Sequence, residues 1–153
     1  MKRFTFRLEA VRKLRTLLEE RCRNELGHLM VERQNVLEQI AAVEKAIADA
    51  YREQEGHLAG GMRASHLAFF PMSTEGREAR IRQLQTEVER LEGLIAEKRA
   101  DLNQKRADLK LIENLREKDL RAWKKAYEKD ENLKVEEMVQ LWKENQRAGQ
   151  EDV

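Results

Sequence analysis

Residues 26–50 read LGHLMVERQNVLEQIAAVEKAIADA, and this stretch decides the fold. Its apolar residues recur at alternating steps of three and four, which is the seven-residue repeat of a coiled coil. The series is apolar except at Arg33, and its members are Leu26, Leu29, Arg33, Val36, Ile40, Val43, Ile47 and Ala50. We therefore predict a long helix with an apolar seam that a second helix must cover.

Toward the N-terminus the spacing of the apolar residues changes. Steps of four residues connect Leu14, Leu18, Cys22 and Leu26, and Val11 lies three residues before Leu14. The extra four-residue step is a stutter, which locally unwinds a left-handed supercoil. The sequence thus predicts that these apolar residues continue the seam.

A second repeat follows a break in the middle of the chain. The break contains three glycines and the stretch SHLAFFPMS at residues 65–73, which includes Pro71, the only proline. Glycine ends helices, proline stops the first helix from continuing, and Ser73 or Thr74 can cap the next one. The second repeat has two polar members and comprises Ile81, Leu84, Val88, Leu91, Ile95, Lys98, Leu102, Lys105, Leu109 and Ile112.

The composition agrees with long helices. Of 153 residues, 39% are charged and only 5% are aromatic, which is typical of coiled coils and unlike a compact globule. The single cysteine, Cys22, cannot form an internal disulfide, which is compatible with a reducing compartment. No apolar run is long enough to span a membrane, and no apolar segment typical of a signal peptide follows the first residues. We expect a soluble, cytoplasmic protein.

The two seams can pair if the chain doubles back on itself. In this arrangement, residues whose numbers sum to 131 lie opposite each other, and the two apolar seams then face each other. The pairs extend from Ala50 with Ile81 near the break to Phe4 with Tyr127 at the open end. The same register sets Arg33 against Lys98, whose alkyl stems can cover the seam while their charges reach water.

We therefore predict an all-α fold, a long two-helix antiparallel coiled-coil hairpin with a C-terminal helical extension. The single coiled-coil domain 1–153 has a helix at about 5–55, a loop at about 56–74, a helix at about 75–146 and a tail at 147–153. From about residue 128 onward, the second helix has no partner within the hairpin.

Charge is divided by position along the chain. Residues 1–25 hold eight basic and four acidic side chains, and residues 98–125 hold ten and five. Because the hairpin brings these two segments together, its open end is basic. This end could be a solvated surface, steer the protein toward an acidic protein partner, or bind nucleic acid.

The sequence contains no pattern that indicates catalysis. The three histidines, His28, His57 and His66, have no zinc-ligand spacing, and Gly60–Gly61 lacks the residues of a phosphate-binding loop. Cys22 lies on the seam, where a buried, inert thiol is expected. We predict a protein that is not an enzyme and has no cofactor, metal or catalytic residue.

The N-terminus resembles a known family. The pattern Phe4-x-Phe6-x-Leu8-Glu9-x-Val11, followed by Arg15, resembles the start of the flagellar export protein FliJ. The related small coiled-coil proteins of injectisome-type secretion systems are similar too.

The resemblance implies a two-stranded antiparallel coiled coil that binds the hexameric flagellar export ATPase and promotes assembly of its ring. It further implies contacts with the export gate, a membrane protein, and with export chaperones. The expected place is the cytoplasmic side of the inner membrane at the flagellar base, without membrane insertion and without nucleic acid. The family has no catalytic residues to transfer.

Two groups of residues are candidate binding sites on this interpretation. An apolar anchor inside a cationic rim at the open end would bind the ATPase, or its aromatics would only close the coiled coil. This group comprises Phe4, Phe6, Arg7, Leu8, Val11, Arg12, Arg15, Arg121, Trp123 and Tyr127. At the loop end, Tyr51, Leu67, Phe69 and Phe70 would cap the seam or contact a partner such as the export gate.

Two other functions fit the same residues. A generic structural coiled coil could dimerise through its seams as a parallel pair. A nucleic-acid-binding helical arm could use the basic end, and its affinity would then depend steeply on salt.

Overall fold

The computed structural model describes residues 2–61 and 69–152, apart from the side chains of residues 69–73. Helix α1 spans Glu9–Ala59 and helix α2 spans Phe69–Glu151, and the two helices pack against each other. The predicted all-α helical hairpin is confirmed. Contacts divide the chain into two compact units, unit 1 with Met1–Leu18 and Lys105–Val153, and unit 2 with Glu19–Gln104. In each unit a segment of α1 packs on a segment of α2.

Helix α1 begins at Glu9, four residues later than predicted, so Phe4 and Phe6 precede the helix. The backbone N–H of Glu9 donates to the Phe6 carbonyl at 3.2 Å, and the N–H of Arg12 donates to the Leu8 carbonyl at 3.0 Å. The hydrogen bond from Arg12 to Leu8 closes the first α-helical turn. Phenylalanine and threonine have low helix propensity, and the Phe6 ring is buried, so the chain gains more by packing than by extending the helix.

The break is shorter than the predicted loop at 56–74, because both helices extend into it. Gly61 adopts a left-handed φ of 83°, which glycine accepts without a steric penalty and which often ends a helix. Pro71 lies in the first turn of α2 rather than before it. A first-turn residue needs no backbone N–H, so proline is tolerated there. Thr74, predicted as a cap, is a buried helical residue.

The C-terminal helical extension is confirmed, since α2 continues to Glu151. The predicted tail from residue 147 is wrong for most of its length. Gly149 lies inside the helix, and one interior glycine costs only about 1 kcal/mol relative to alanine. That cost does not end a helix whose neighbouring residues favour it.

The core of unit 2 is a cluster of seam residues from both helices. Cys22, Leu26, Ile95 and Leu102 form a buried cluster, and Leu29 packs against it. Burial raises the pKa of the Cys22 thiol, and its hydrogen bond to Asp101 Oδ2 at 3.4 Å raises the pKa further. The predicted buried thiol is confirmed.

The register of the two helices differs from the prediction by about one heptad. In unit 2, Lys98 Nζ lies 2.6 Å from Glu25 Oε2 and Arg33 Nε lies 3.3 Å from Glu92 Oε1, pairs whose numbers sum to 123 and 125. A slip of seven residues leaves seam against seam, so the apolar pattern alone cannot distinguish the two registers. The predicted register brought Arg33 against Lys98, whereas the observed one gives each cation an acidic partner. Charge pairing therefore favours the observed register.

The predicted stutter is also wrong. The seam of α1 continues without interruption through Arg12 and Arg15, which are half-buried, and Glu19, which is 7% exposed. Val11, Leu14 and Leu18 are exposed instead. These charged seam residues have partners, since Arg12 pairs with Glu9, Arg15 with the Asp108 carbonyl, and Glu19 with Arg23.

Candidate functional site

Three aromatic rings meet in unit 1, and we call them the aromatic cluster. The ring centroids of Phe4 and Trp123 are 5.9 Å apart with planes tilted by 56°, and Trp123 stacks on Tyr127 at 5.2 Å. Aromatic pairs at such distances are favourable beyond the area that they bury. Phe4 and Trp123 are half-buried and Tyr127 is exposed, so the cluster both closes the helix pair and presents ring surface to solvent.

The chain before α1 holds the cluster in place. The indole Nε1 of Trp123 donates a hydrogen bond to the Lys2 carbonyl at 3.1 Å, which ties residues 2–6 to α2. The buried Phe6 ring anchors the same segment. Phe4 and Phe6 thus have different environments, since the Phe4 ring lies against Trp123 and the Phe6 ring is buried.

Arg116 adds a cation to the cluster, and sequence reasoning missed it. Its guanidinium carbon lies 5.8 Å from the centroid of the Phe4 ring, within the range of a cation–π contact, and its Nε lies 3.9 Å from Glu9 Oε2. The predicted seam ended at Ile112, and Arg116 is the next position of the same heptad. Continuing the repeat past its apolar members would have found it.

Glu9 connects two arginines at the first turn of α1. Arg12 Nε donates to Glu9 Oε2 at 3.0 Å, and this hydrogen bond is the main reason why the pKa of Glu9 is lowered and that of Arg12 is raised. A carboxylate in the first turn is also favoured by the helix dipole. Glu9 therefore remains ionised at neutral pH and orients both arginines.

The remaining predicted open-end residues have distinct environments. Arg15 donates to the Asp108 carbonyl at 2.8 Å and lies in the seam, so it joins the helices. Arg121 pairs with Glu117 on the exposed surface of α2 at 2.6 Å. Arg7 is exposed and Leu8 is half-buried. Unit 1 thus brings an aromatic surface and several arginines into one region.

Comparison with known proteins identifies the family. A family model described as flagellar FliJ protein matches residues 4–147. The chain belongs to the FliJ family. No curated protein and no solved structure gave a match. The FliJ match begins at Phe4, the first ring of the aromatic cluster, and it confirms the family suggested by the N-terminal pattern.

Membership of the FliJ family makes the chain a component of the flagellar export apparatus. The family is a structural one within that machinery. Across residues 2–61 and 69–152, no helix is both long and apolar enough to cross a membrane. The same described residues hold no cluster of three or more metal-ligating side chains.

The predicted loop-end site of this FliJ chain is only partly described. Tyr51 is exposed on α1 in unit 2. Leu67 lies outside the described residues, as do the side chains of Phe69 and Phe70, although both residues belong to the first turn of α2. The interpretation of this group as a seam cap or a partner site remains a prediction.

Proposed function

We propose that this FliJ-family chain is a non-enzymatic, stalk-like subunit that binds the hexameric flagellar export ATPase and promotes assembly of its ring. The observation that supports this most is the aromatic cluster with Arg116 against Phe4, in a unit whose α1 seam also contains Arg12 and Arg15. Aromatic and arginine side chains are the usual energetic anchors of protein interfaces. The chain acts by binding, and the hydrolysis of ATP belongs to the ring.

The contact surface consists of groups that are already positioned. Phe4, Trp123 and Tyr127 are held by one another and by the Trp123–Lys2 hydrogen bond, so little side-chain freedom is lost on binding. Two helices side by side, each about 10 Å in diameter, can enter the bore of a ring that excludes a globule. The basic surplus of unit 1 steers it toward an acidic bore.

The test is binding of the full chain to the cognate export ATPase, measured together with ATPase stimulation and hexamer formation. Tyr127→Ala removes the exposed ring of the cluster and should weaken binding at least tenfold, as loss of an interface anchor does. Tyr51→Ala, an exposed tyrosine of α1 in unit 2, is the matched control and should leave affinity unchanged.

Helicity of both variants is checked by circular dichroism. Equal affinity of the Tyr127→Ala variant and the natural chain would show that the aromatic cluster only closes the helix pair. In that case the ATPase contact would have to be sought elsewhere on the chain.

The export gate and the export chaperones are the further partners in this proposal, and the place of action is the cytoplasmic side of the inner membrane at the flagellar base. Tyr51, Leu67, Phe69 and Phe70 are the residues that we assign to the gate. A pull-down of the gate's cytoplasmic portion with a Phe69→Ser, Phe70→Ser variant tests this. Unchanged capture by a variant that folds normally would contradict the assignment.

A further inference from the structure

Unit 1 has an exposed apolar face in addition to the aromatic cluster. Leu14 is 56% exposed and Leu111 is 62% exposed, while the seam of α1 beside them contains Arg12 and Arg15. The set also includes two more residues of α1 and one of α2. We call it the leucine face, and its members are Val11, Leu14, Leu18, Leu111 and Leu115.

The members of the leucine face lie on one side of the helix pair. In α1 each directly precedes a seam residue, as Leu14 precedes Arg15, and in α2 Leu111 precedes the buried Ile112. Equal offsets from the seam place side chains on the same side of an antiparallel pair. The bond from Arg15 to the Asp108 carbonyl sets the register, so the two rows lie at the same height.

A second unpartnered apolar surface lies further along α2. Val135, Met138, Val139 and Trp142 are spaced three, one and three residues apart, which is one stripe of a helix. All four are exposed, Met138 at 69% and Trp142 at 60%. We call this set the C-terminal stripe. The spacing is that of a helix that docks its apolar side on a partner.

The two surfaces cannot meet within one molecule. Both involve α2, which is a continuous helix from Phe69 to Glu151. At the rise of an α-helix, Leu115 and Trp142 are about 40 Å apart. A contact between the two surfaces therefore requires a second chain.

The charges around the two surfaces are complementary. Residues 1–18 carry six basic side chains and one acidic, and residues 105–125 carry eight basic and four acidic. Residues 126–153, which contain the C-terminal stripe, carry eight acidic and four basic side chains. Opposite charge favours association of the stripe with the leucine face and disfavours stripe with stripe.

We infer that two copies of this chain associate by docking the C-terminal stripe of each on the leucine face of the other. In a two-fold symmetric dimer the same contact occurs twice, because both copies carry both surfaces. The dimer buries leucines and a tryptophan that are exposed in the single chain. This self-association does not depend on the proposed function and uses none of the residues of the aromatic cluster, although Val11 also belongs to the predicted open-end group.

Sedimentation of the full chain over a range of concentrations tests the inference. The natural chain should form a concentration-dependent dimer that weakens as salt is added. Leu14→Gln and Met138→Gln, one in each surface, should each weaken the dimer at least tenfold. Glutamine is a good helix former, so helicity should be retained.

Two matched substitutions control for the loss of any exposed apolar residue. Val31 is 60% exposed on α1 in unit 2, and Leu133 is 49% exposed on α2, outside the stripe. Val31→Gln and Leu133→Gln should leave the dimer unchanged. Equal weakening by these controls would mean that association is nonspecific and would overturn the inference.

Mixing the two variants tests the pairing itself. The Leu14→Gln chain keeps its stripe and the Met138→Gln chain keeps its leucine face, so the mixture should recover one contact and associate more strongly than either variant alone. No recovery would overturn the reciprocal arrangement. A natural chain that stays monomeric up to about 1 mM would overturn it too, and reduced ATPase binding by Leu14→Gln would then assign the face to that partner.

Discussion

The two units of this FliJ chain use the same heptad repeat in opposite ways. In unit 2 the apolar residues Cys22, Leu26, Ile95 and Leu102 fill the seam. In unit 1 the seam of α1 contains Arg12 and Arg15, while Leu14 and other apolar residues point to solvent. The difference shows that apolar residues in a repeat are not sufficient to define a core. Where they lie outside the seam, they are available for partners.

The largest expected effect tests which apolar residues stabilise the fold. Leu102 is 4% exposed in the core of unit 2, so Leu102→Ala should lower the free energy of unfolding by about 3 kcal/mol, the usual cost of a buried leucine. Leu14→Ala should change it by less than about 0.5 kcal/mol, because the side chain is exposed and alanine favours helix. Urea unfolding followed by circular dichroism measures both. Both are measured at concentrations where the chain is monomeric, so similar losses would show that Leu14 is buried within the single chain.

The sequence predicted the helices well and their alignment poorly, for reasons that these residues illustrate. Helix type and number follow from the repeat at Leu26 to Ala50, which extends over many turns and is locally encoded. Alignment depends on which charges meet across the pair, such as Glu25 with Lys98. Those pairs are nonlocal, and a slip of one heptad leaves the apolar pattern unchanged.

The candidate site was predicted in part for a related reason. Phe4, Trp123 and Tyr127 were assigned to one end of the hairpin, and the structure brings them together. Arg116 was missed because it occupies a seam position where an apolar residue was expected. The exposed position of Leu14 could not be predicted from local spacing, because this part of α1 fits two patterns. One is a stutter through Leu14 and Leu18, and the other is an uninterrupted repeat through Arg12 and Arg15.

A smaller effect is expected from the charges that set the register in unit 2. Lys98→Glu should face Glu25 with a like charge and lower the melting temperature by about 2 °C, since pairs near the surface contribute little. The double variant Glu25→Lys, Lys98→Glu restores opposite charge and should recover part of the loss. Only part is expected, because Glu25 also accepts a hydrogen bond from Arg21 at 3.1 Å.

Cysteine cross-linking measures the register of the two helices directly. In a Cys22→Ser background, cysteines at positions 29 and 95 should form a disulfide, whereas cysteines at 29 and 102 should not. If the second pair cross-linked in the natural charge background, the register that sums to 131 would be the correct one.

The smallest expected effect is the pH dependence of the Glu25–Lys98 pair. Hydrogen bonds from Lys98 and Arg21 lower the pKa of Glu25 below its usual 4.5. A lowered pKa in the folded state means that this carboxylate stabilises the fold at pH values above 4.5 and that its contribution is lost as the pH falls through the folded pKa. Glu25→Gln should therefore reduce the loss of stability on acidification. Because the pair is near the surface, the change should be a small part of the total acid dependence.

Lys98→Met provides the matched variant, since it removes the partner and leaves the carboxylate. This variant should also reduce the loss of stability on acidification. The reduction should be smaller than for Glu25→Gln, because Arg21 still lowers the pKa of Glu25. The double variant should behave like Glu25→Gln alone, since two substitutions in one pair are not additive. Unfolding titrations between pH 3 and pH 7 measure all three. Additive effects would mean that Lys98 stabilises unit 2 through contacts other than Glu25, and the charge argument for the register would then rest on Arg33 and Glu92.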